Sequence, residues 1–168
     1  MELSSSVCWP GRFQKIGNFI VDGAHNPPAA RALVSALSEA IKQSNNQTIK
    51  QFSLIFGACG DKDVGEVLSI LAPVAKKGYA VKTNNPRSLS AEDTAAKMRA
   101  AGIDAVACGS LGEAIGRTGR KAEGGGPGER RTLVCGSLFL AGEALVELGA
   151  YPWGDARFDP AELLRRTT

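Results

Sequence analysis

Apolar and polar residues alternate in blocks along this chain, and the blocks predict strands that are each followed by a helix. Apolar runs predict buried strands at 19–22, 52–58, 79–83, 103–108 and 132–135. The segment 27–43, after the first run, has Ala30, Leu33 and Leu37 at helical spacing. Such repetition of strand and helix predicts right-handed crossovers, and therefore a mostly parallel sheet covered by helices on both faces.

Capping residues bound the remaining predicted helices, which occupy 63–71, 90–101, 110–118 and 137–149. Ser90, for example, is a typical helix cap, and Gly102 is the glycine that commonly follows a helix end. Residues 13–16 predict one more short strand, which reverses at Gly17-Asn18 and pairs with the run at 19–22. The predicted fold class is therefore three-layer α/β, with an antiparallel hairpin at one edge of the sheet.

The length of 168 residues and the hydrophobic content of 43% suffice for one sizeable core. We expect a single domain over 1–168, with its core at about 9–149 and a tail at 150–168. Glycine-rich residues 124–128 predict a flexible surface loop, at the edge of the sheet opposite to the one that binds phosphates. Aromatic residues in the tail, Tyr151, Trp153 and Phe158, are predicted either to fold back on the domain or to contact a partner.

Charge and hydropathy narrow the classes of partner. The net charge is +3, no long run carries a single sign, and no 18 consecutive residues are apolar. These features argue against nucleic acid and membrane as partners, and the N-terminal residues do not have the pattern of a signal peptide. We therefore expect a small-molecule ligand and a cytoplasmic protein.

The four cysteines, Cys8, Cys59, Cys108 and Cys135, are widely spaced, form no Cys-x-x-Cys pair and are accompanied by a single histidine. This arrangement argues against a metal site. Three of the cysteines follow apolar runs, so we interpret their thiols as small buried groups at strand ends. A catalytic thiol would need a base, and His25 is the only histidine of the sequence.

The stretch Asp22-Gly23-Ala24-His25-Asn26-Pro27 stands where the first strand turns into the first helix. Asn26 is a typical helix cap, and proline suits the first helical position. Ligands bind at the carboxyl ends of parallel strands, and the start of a helix adds unpaired N–H groups there. Asp22 and His25 are therefore candidate site residues.

Each candidate has a structural and a functional interpretation. Asp22 could accept the hydroxyl groups of a ribose, or it could only bind the N–H groups of its own turn. His25 could donate a hydrogen bond in the crevice or pack over the helix start, and Arg12 could pair with a phosphate or stay solvated. The sequence contains no Walker-type phosphate loop, and the dinucleotide fingerprint Gly-x-Gly-x-x-Gly does not follow the first strand.

Five short motifs follow one another along residues 9–148. They are Trp9-Pro10-Gly11-Arg12-Phe13-Gln14, Asp22-Gly23-Ala24-His25-Asn26-Pro27, Gly60-Asp61-Lys62-Asp63, Asn85-Pro86-Arg87-Ser88 and Gly136-Ser137-Leu138-Phe139. In type and in order, these motifs resemble the C-terminal domain of folylpolyglutamate synthase and dihydrofolate synthase, which belong to the Mur ligase superfamily. The resemblance implies a three-layer, Rossmann-like α/β domain.

The resemblance also implies an ATP-dependent amide ligase. In this family, ATP phosphorylates a carboxyl group of a folate or of dihydropteroate, and the amine of L-glutamate attacks the acyl phosphate. Carried over by motif, Arg12, Asp22 and Asn26 would bind ATP, with Arg12 on its phosphates and Asp22 on its ribose. His25 and Ser137 would be the catalytic residues, on the side of the incoming glutamate.

Enzymes of this family have an N-terminal ATPase domain with the phosphate loop and most of the folate contacts, and we expect this chain to lack it. The isolated chain is therefore expected to be inactive, and its partners to be that domain, ATP, L-glutamate and a folate or dihydropteroate. Mg²⁺ would be bound mainly by the ATPase domain. Two alternatives remain open: the C-terminal domain of another Mur-type ligase, or a noncatalytic module that senses a nucleotide or docks on a partner.

Overall fold

Strands and helices alternate along the chain in a computed structural model that describes residues 11–43, 51–60, 63–119 and 131–150. The strands are β1 (Gln14–Ile16), β2 (Phe19–Val21), β3 (Phe52–Phe56), β4 (Ala75–Ala80), β5 (Asp104–Ala107) and β6 (Thr132–Cys135). The helices are α1 (Pro27–Gln43), α2 (Val64–Leu71), α3 (Ala91–Ala100), α4 (Leu111–Gly119) and α5 (Leu138–Glu147). Within the described residues, the predicted order of elements is confirmed.

The strands form one sheet in the order β1-β2-β6-β3-β4-β5, in which every neighbouring pair except β1 and β2 is parallel. Helices α1, α2 and α3 lead from β2 to β5, and each packs on the next. Helix α4 then brings the chain back to β6, which lies between β2 and β3, and α4 packs on α5. The predicted three layers and the predicted edge hairpin are therefore both confirmed.

Two apolar clusters, one on each face of the sheet, form the core. Alternate residues of the central strands divide between the clusters, because successive side chains of a strand point to opposite faces. Leu54 and Leu133 pack with α1, α2 and α3, whereas Ile55 and Val134 pack with α4 and α5. Both faces of these strands are buried, which explains why β3 and β6 are nearly continuous apolar runs in the sequence.

The predicted bounds of the third central strand are wrong. The sequence pattern places that strand at 79–83, but β4 runs over Ala75–Ala80. Its first half contains the exposed residues Lys76 and Lys77, followed by Gly78, where a side chain would collide with Met98. Lysines before a glycine are typical of a turn, so the local pattern concealed a strand that pairing with β3 stabilises.

The other predicted elements within the described residues differ from the structure by two residues or fewer. No helix in these ranges is both long enough and apolar enough to cross a bilayer. The predicted loop at 124–128, the tail and Cys8 lie outside the described residues, and the single-domain division of 1–168 stays a prediction. Cys59, Cys108 and Cys135 are buried, as expected for small groups at strand ends.

Candidate functional site

The carboxyl ends of β2, β6 and β3 form a crevice at one edge of the sheet. Val21 pairs with Val134, and Phe56 pairs with Cys135, so the three strands end side by side. The helices that follow β2 and β3 pack on one face of the sheet, whereas the helix that follows β6 packs on the other. In α/β proteins, ligands bind where neighbouring strands send their helices to opposite faces.

Asp22 stands directly after β2 and joins two segments at this crevice. Its Oδ1 accepts a hydrogen bond from the Ala24 N–H at 2.8 Å, and its Oδ2 accepts one from the Phe13 N–H at 2.9 Å. The Asp22 N–H extends the parallel ladder by donating to the Val134 carbonyl oxygen. Asp22 thus binds backbone N–H groups of its turn, yet each carboxylate oxygen keeps a second acceptor position for a ligand.

Arg12 is held at the same edge by its neighbours. The Gly23 N–H donates to the Gly11 carbonyl oxygen at 2.7 Å, so the turn before Arg12 is fastened to the turn after β2. Phe13, whose N–H binds Asp22, has a φ of +44°, in the left-handed region that residues other than glycine rarely adopt. The exposed Arg12 side chain makes no hydrogen bond or ion pair with any residue that the structure describes. Its backbone is therefore fixed while its guanidinium group stays available.

The imidazole of His25 has a defined orientation. Its Nδ1 lies 2.8 Å from the Gly23 carbonyl oxygen. Because a carbonyl oxygen only accepts hydrogen bonds, Nδ1 is the donor of this bond, and Nε2 is the acceptor whenever the imidazole carries a single proton. His25 is half-buried and lines a pocket at the crevice. The residues that line this pocket are His25, Cys59, Arg87, Gly136, Ser137, Leu138 and Phe139.

Ser137 lines the same pocket from the start of α5. It is the N-cap of that helix, where its Oγ accepts a hydrogen bond from the Phe139 N–H at 3.1 Å. The Gly136 N–H donates to the Ala24 carbonyl oxygen at 2.8 Å, which fastens the start of α5 to the turn after β2. The residue is 4% exposed, and no described residue accepts its hydroxyl proton. Ser137 can therefore donate to a ligand in the pocket.

Gly136 allows the start of α5 to lie close to the end of β3. Its φ is +114°, and a Cβ at this position would lie 2.8 Å from the Gly57 carbonyl oxygen. Any side chain would therefore push the start of α5 away from β3. The pocket encloses about 110 Å³, less than the roughly 300–1,000 Å³ of a complete ligand site. Its volume suits one part of a ligand.

Asn26 is used mainly as a helix cap. Its Oδ1 accepts a hydrogen bond from the Ala29 N–H at 2.9 Å, and its carbonyl oxygen accepts one from the Ala30 N–H. Only the side-chain amide NH₂ is left as a donor for a ligand. Among the residues that the structure describes, no group of His, Cys, Asp and Glu is arranged to hold a metal ion.

Two cysteines lie near the crevice, and neither was among the predicted site residues. Burial raises the pKa of the Cys135 thiol, and the negative charge of Asp22 raises it further, so this thiol stays neutral. Cys59 lines the pocket together with Arg87, because a single β-bridge pairs Cys59 with Ser88. Cys59 precedes the motif Gly60-Asp61-Lys62-Asp63, and Arg87 belongs to the motif Asn85-Pro86-Arg87-Ser88. Only the bridge between these two loops brings both residues to the crevice.

Comparisons with known proteins identify the family and the fold of this chain. Residues 11–138 match the family described as Mur ligase, glutamate ligase domain. A probable bifunctional folylpolyglutamate synthase/dihydropteroate synthase from Haloferax volcanii is 30% identical to this chain over 143 residues. The matched part is 81% of this chain and 15% of that protein, so the chain spans a small share of its curated relative.

Two solved structures share the fold. Mycobacterium tuberculosis folylpolyglutamate synthase, complexed with ADP and AMPPCP, has a TM-score of 0.77 and 24% identity over 88% of this chain and 34% of that one. A bifunctional folylpolyglutamate synthase/dihydrofolate synthase with Mn, AMPPNP and L-glutamate bound has a TM-score of 0.66 and 25% identity, over 86% and 32% of the two chains. The chain belongs to the Mur ligase glutamate ligase domain family, and it is homologous to the C-terminal region of folylpolyglutamate synthases.

Proposed function

We propose that this chain is the C-terminal part of an ATP-dependent ligase that joins L-glutamate to a folate or to dihydropteroate. The observation that carries the proposal is that Ser137 lies at the same crevice as Arg12, Asp22 and His25, although it is far from these three residues in the sequence. The bifunctional synthase that binds Mn, AMPPNP and L-glutamate supports the same assignment, because it is similar to this chain over 86% of the chain.

ATP would bind on the Asp22 side of the crevice. The second acceptor positions of the two carboxylate oxygens can take the two ribose hydroxyl groups, while the first positions keep the turn in place. The Arg12 guanidinium would pair with the phosphates and stabilise the charge that spreads over the transferred phosphoryl group. The Asn26 amide would add one donor at the start of α1, where the first two residues are prolines without N–H groups and the next two N–H groups are bound to Asn26 itself.

L-Glutamate would enter the pocket between His25 and Ser137. The free acceptor Nε2 of His25 faces a ligand whose attacking amine must lose a proton, and the Ser137 hydroxyl can donate to a glutamate carboxylate. The amine nitrogen bonds to the carbonyl carbon of the acyl phosphate, the carbon–oxygen bond to phosphate breaks, and His25 accepts the amine proton. The products are the amide and inorganic phosphate.

The remaining parts of the reaction would lie on another domain. The sequence contains no phosphate loop, and the described residues contain no metal-binding cluster, so no step here passes through a metal on this chain. We assign Mg²⁺, the phosphate loop and most folate contacts to an N-terminal ATPase domain. Alone, the chain is expected to bind ATP weakly and to be inactive.

Reconstitution tests this proposal. The chain is mixed with a folylpolyglutamate synthase from which the matching domain has been removed, and glutamate-dependent release of phosphate from ATP is measured with a folate acceptor. We expect release only from the mixture, reduced about 100-fold by His25→Ala. Glu92→Ala, an exposed change on α3, should leave the rate unaltered.

Two results would contradict the proposal. Phosphate release by the isolated chain would show that no further domain is needed. Binding of ATP by the chain, with no release from the mixture at any concentration of the two parts, would instead indicate a noncatalytic module that senses a nucleotide.

A further inference from the structure

The pocket at the crevice has two walls that come from different layers of the fold. One wall is the start of α5, where Ser137 is the N-cap. The other wall, which we call the loop wall, consists of residues 58–60 after β3 and 84–88 after β4, and it contributes Cys59 and Arg87. Helix α5 packs on one face of the sheet, whereas the helices that follow these loops pack on the other. Neither layer alone therefore fixes the distance between the two walls.

Hydrogen bonds join the two loops of the loop wall into one unit. The Gly60 N–H donates to the Arg87 carbonyl oxygen at 3.0 Å. Beside this bond, Cys59 pairs with Ser88 in the β-bridge. Within the second loop, Asn85 Oδ1 accepts a hydrogen bond from the Arg87 N–H at 2.9 Å. A displacement of the second loop therefore moves Arg87 and Cys59 together.

Glu143, on α5, joins that helix directly to the loop wall. Its Oε1 accepts a hydrogen bond from the Asn84 N–H at 2.8 Å. A carboxylate makes a stronger bond to an N–H group than a neutral acceptor does. The helix that begins after Ser137 and forms one wall of the pocket therefore also holds the opposite wall.

We propose that Glu143 is a positioning residue, which holds the loop wall against α5 and thereby sets the affinity of the pocket for its ligand. The inference rests on the proposed function for the identity of that ligand, L-glutamate. Glu143 is not one of the described residues that line the pocket, so it acts through the loop wall. His25 and Ser137 are held separately, because the Gly136 N–H donates to the Ala24 carbonyl oxygen. Loss of the Glu143 bond should therefore weaken binding of L-glutamate more than it slows the reaction of bound L-glutamate.

Steady-state kinetics of the reconstituted ligase test this separation. We expect Glu143→Ala to raise the KM for L-glutamate about tenfold and to change kcat less than about twofold. Glu143→Gln keeps a carbonyl oxygen as the acceptor and should restore most of the affinity. Glu147→Ala is the matched control on the same helix, because this exposed carboxylate accepts no hydrogen bond from any residue that the structure describes. Its kinetic constants should equal those of the parent.

Thiol labelling tests the same contact in the full chain alone, without any ligase activity. Cys59 is 8% exposed, whereas Cys135 is fully buried. Opening of the loop wall by Glu143→Ala should raise the rate at which a maleimide labels Cys59 at least about threefold, as measured by mass spectrometry of the labelled peptides. Glu143→Gln and Glu147→Ala should label at the rate of the parent, and Cys135 should stay unlabelled throughout.

The labelling can overturn the proposal in two ways. An unchanged rate for Cys59 in Glu143→Ala would show that the bond does not hold the loop wall. An equal rise for Cys135 would show a general loss of stability instead of a local opening.

The kinetics can overturn the proposal independently. An unchanged KM in an active mixture, or a Glu143→Gln variant as impaired as Glu143→Ala, would show that the hydrogen bond does not set the affinity. If the parent mixture releases no phosphate, the proposed function fails, and the labelling rates still decide whether Glu143 holds the loop wall.

Discussion

Two strand-to-helix turns, both at the carboxyl ends of parallel strands, use their polar groups in different ways. In the turn after β5, the polar side chains bind groups of the same turn and of the helix that follows it. Ser110 Oγ accepts a hydrogen bond from the Glu113 N–H at 3.1 Å, and Glu113 Oε2 accepts one from the Gly109 N–H at 2.7 Å. Arg117 then pairs with the same carboxylate at 2.8 Å. Every partner lies within eight positions in the sequence, so this turn caps a helix and does nothing further.

The turn after β2 binds three segments of the chain. Asp22 accepts from the Phe13 N–H of the hairpin, and the Ala24 carbonyl oxygen accepts from the Gly136 N–H after β6. Strand β5 is an edge strand with β4 as its one neighbour, whereas β2 lies between β1 and β6. In the described residues, the β2 turn is hydrogen-bonded both to the segment before β1 and to the turn after β6. Acceptor positions on Asp22 and on His25 Nε2 are left for a ligand. The neighbouring strand therefore decides whether similar polar residues form a cap or a site.

Asp22→Ala should have the largest effect on stability. The substitution leaves the Phe13 and Ala24 N–H groups without their acceptor. Hydrogen bonds to charged groups contribute about 1.5–3 kcal/mol each, so we expect the free energy of unfolding to fall by about 3 kcal/mol in a urea titration. Glu113→Ala in the β5 turn should cost clearly less, because that carboxylate is exposed. Equal losses for the two variants would remove the distinction between the turns.

Gly136→Ala should cause the second largest loss of stability. The added Cβ meets the Gly57 carbonyl oxygen at a backbone φ of +114°, so we expect a loss of about 2 kcal/mol in the free energy of unfolding. Gly116→Ala, inside α4 where a Cβ meets open space, is the matched control and should raise it by about 0.5–1 kcal/mol. A Gly136→Ala protein as stable as the parent would show that the start of α5 does not need to lie so close to the end of β3.

Ser137→Ala and Ser110→Ala separate capping from function. Each substitution removes the hydroxyl that accepts from the backbone at a helix start, so each should cost about 1 kcal/mol of stability. In the reconstituted ligase, only Ser137→Ala should lower the rate of phosphate release, because only Ser137 lines the pocket. The assignment of Ser137 fails if both variants reduce the rate equally.

The smallest expected effect is a change in the free energy of unfolding between neutral and acidic pH. Hydrogen bonds from the Gly109 N–H and then from Arg117 hold the pKa of Glu113 below its usual value. A carboxyl group with a lowered pKa in the folded state stabilises the fold above its unfolded pKa, and this contribution is lost as pH falls through the folded pKa. The parent should therefore exceed Glu113→Gln slightly in stability at neutral pH, and the difference should vanish in acid. A difference that grows on acidification would be inconsistent with this pairing.

Local signals predicted what depends on nearby residues. Asp63 and Ser90 accept from the N–H groups three positions ahead, as their cap positions indicated. The polar start of β4 escaped prediction because its strand character comes from pairing with β3. The motif after β2 identified the candidate turn, but no local pattern in the sequence indicates the hydrogen bond between the Phe13 N–H and Asp22. Such contacts depend on which strands become neighbours, and the order of strands is a property of the whole sheet.

The most direct measurement of the central claim is a calorimetric titration of the reconstituted ligase with AMPPNP and with its 2′,3′-dideoxy form. If Asp22 binds the ribose, loss of both hydroxyl groups weakens binding at least about tenfold, a difference of about 1.4 kcal/mol. Asp22→Asn loses the charge and one of the two acceptors that hold the turn, so it should weaken AMPPNP clearly more than the dideoxy form. Asp104→Asn, the same change of charge at the start of the distant strand β5, should alter neither. Tight binding of AMPPNP by Asp22→Asn, or an equal loss for both nucleotides, would contradict the assignment.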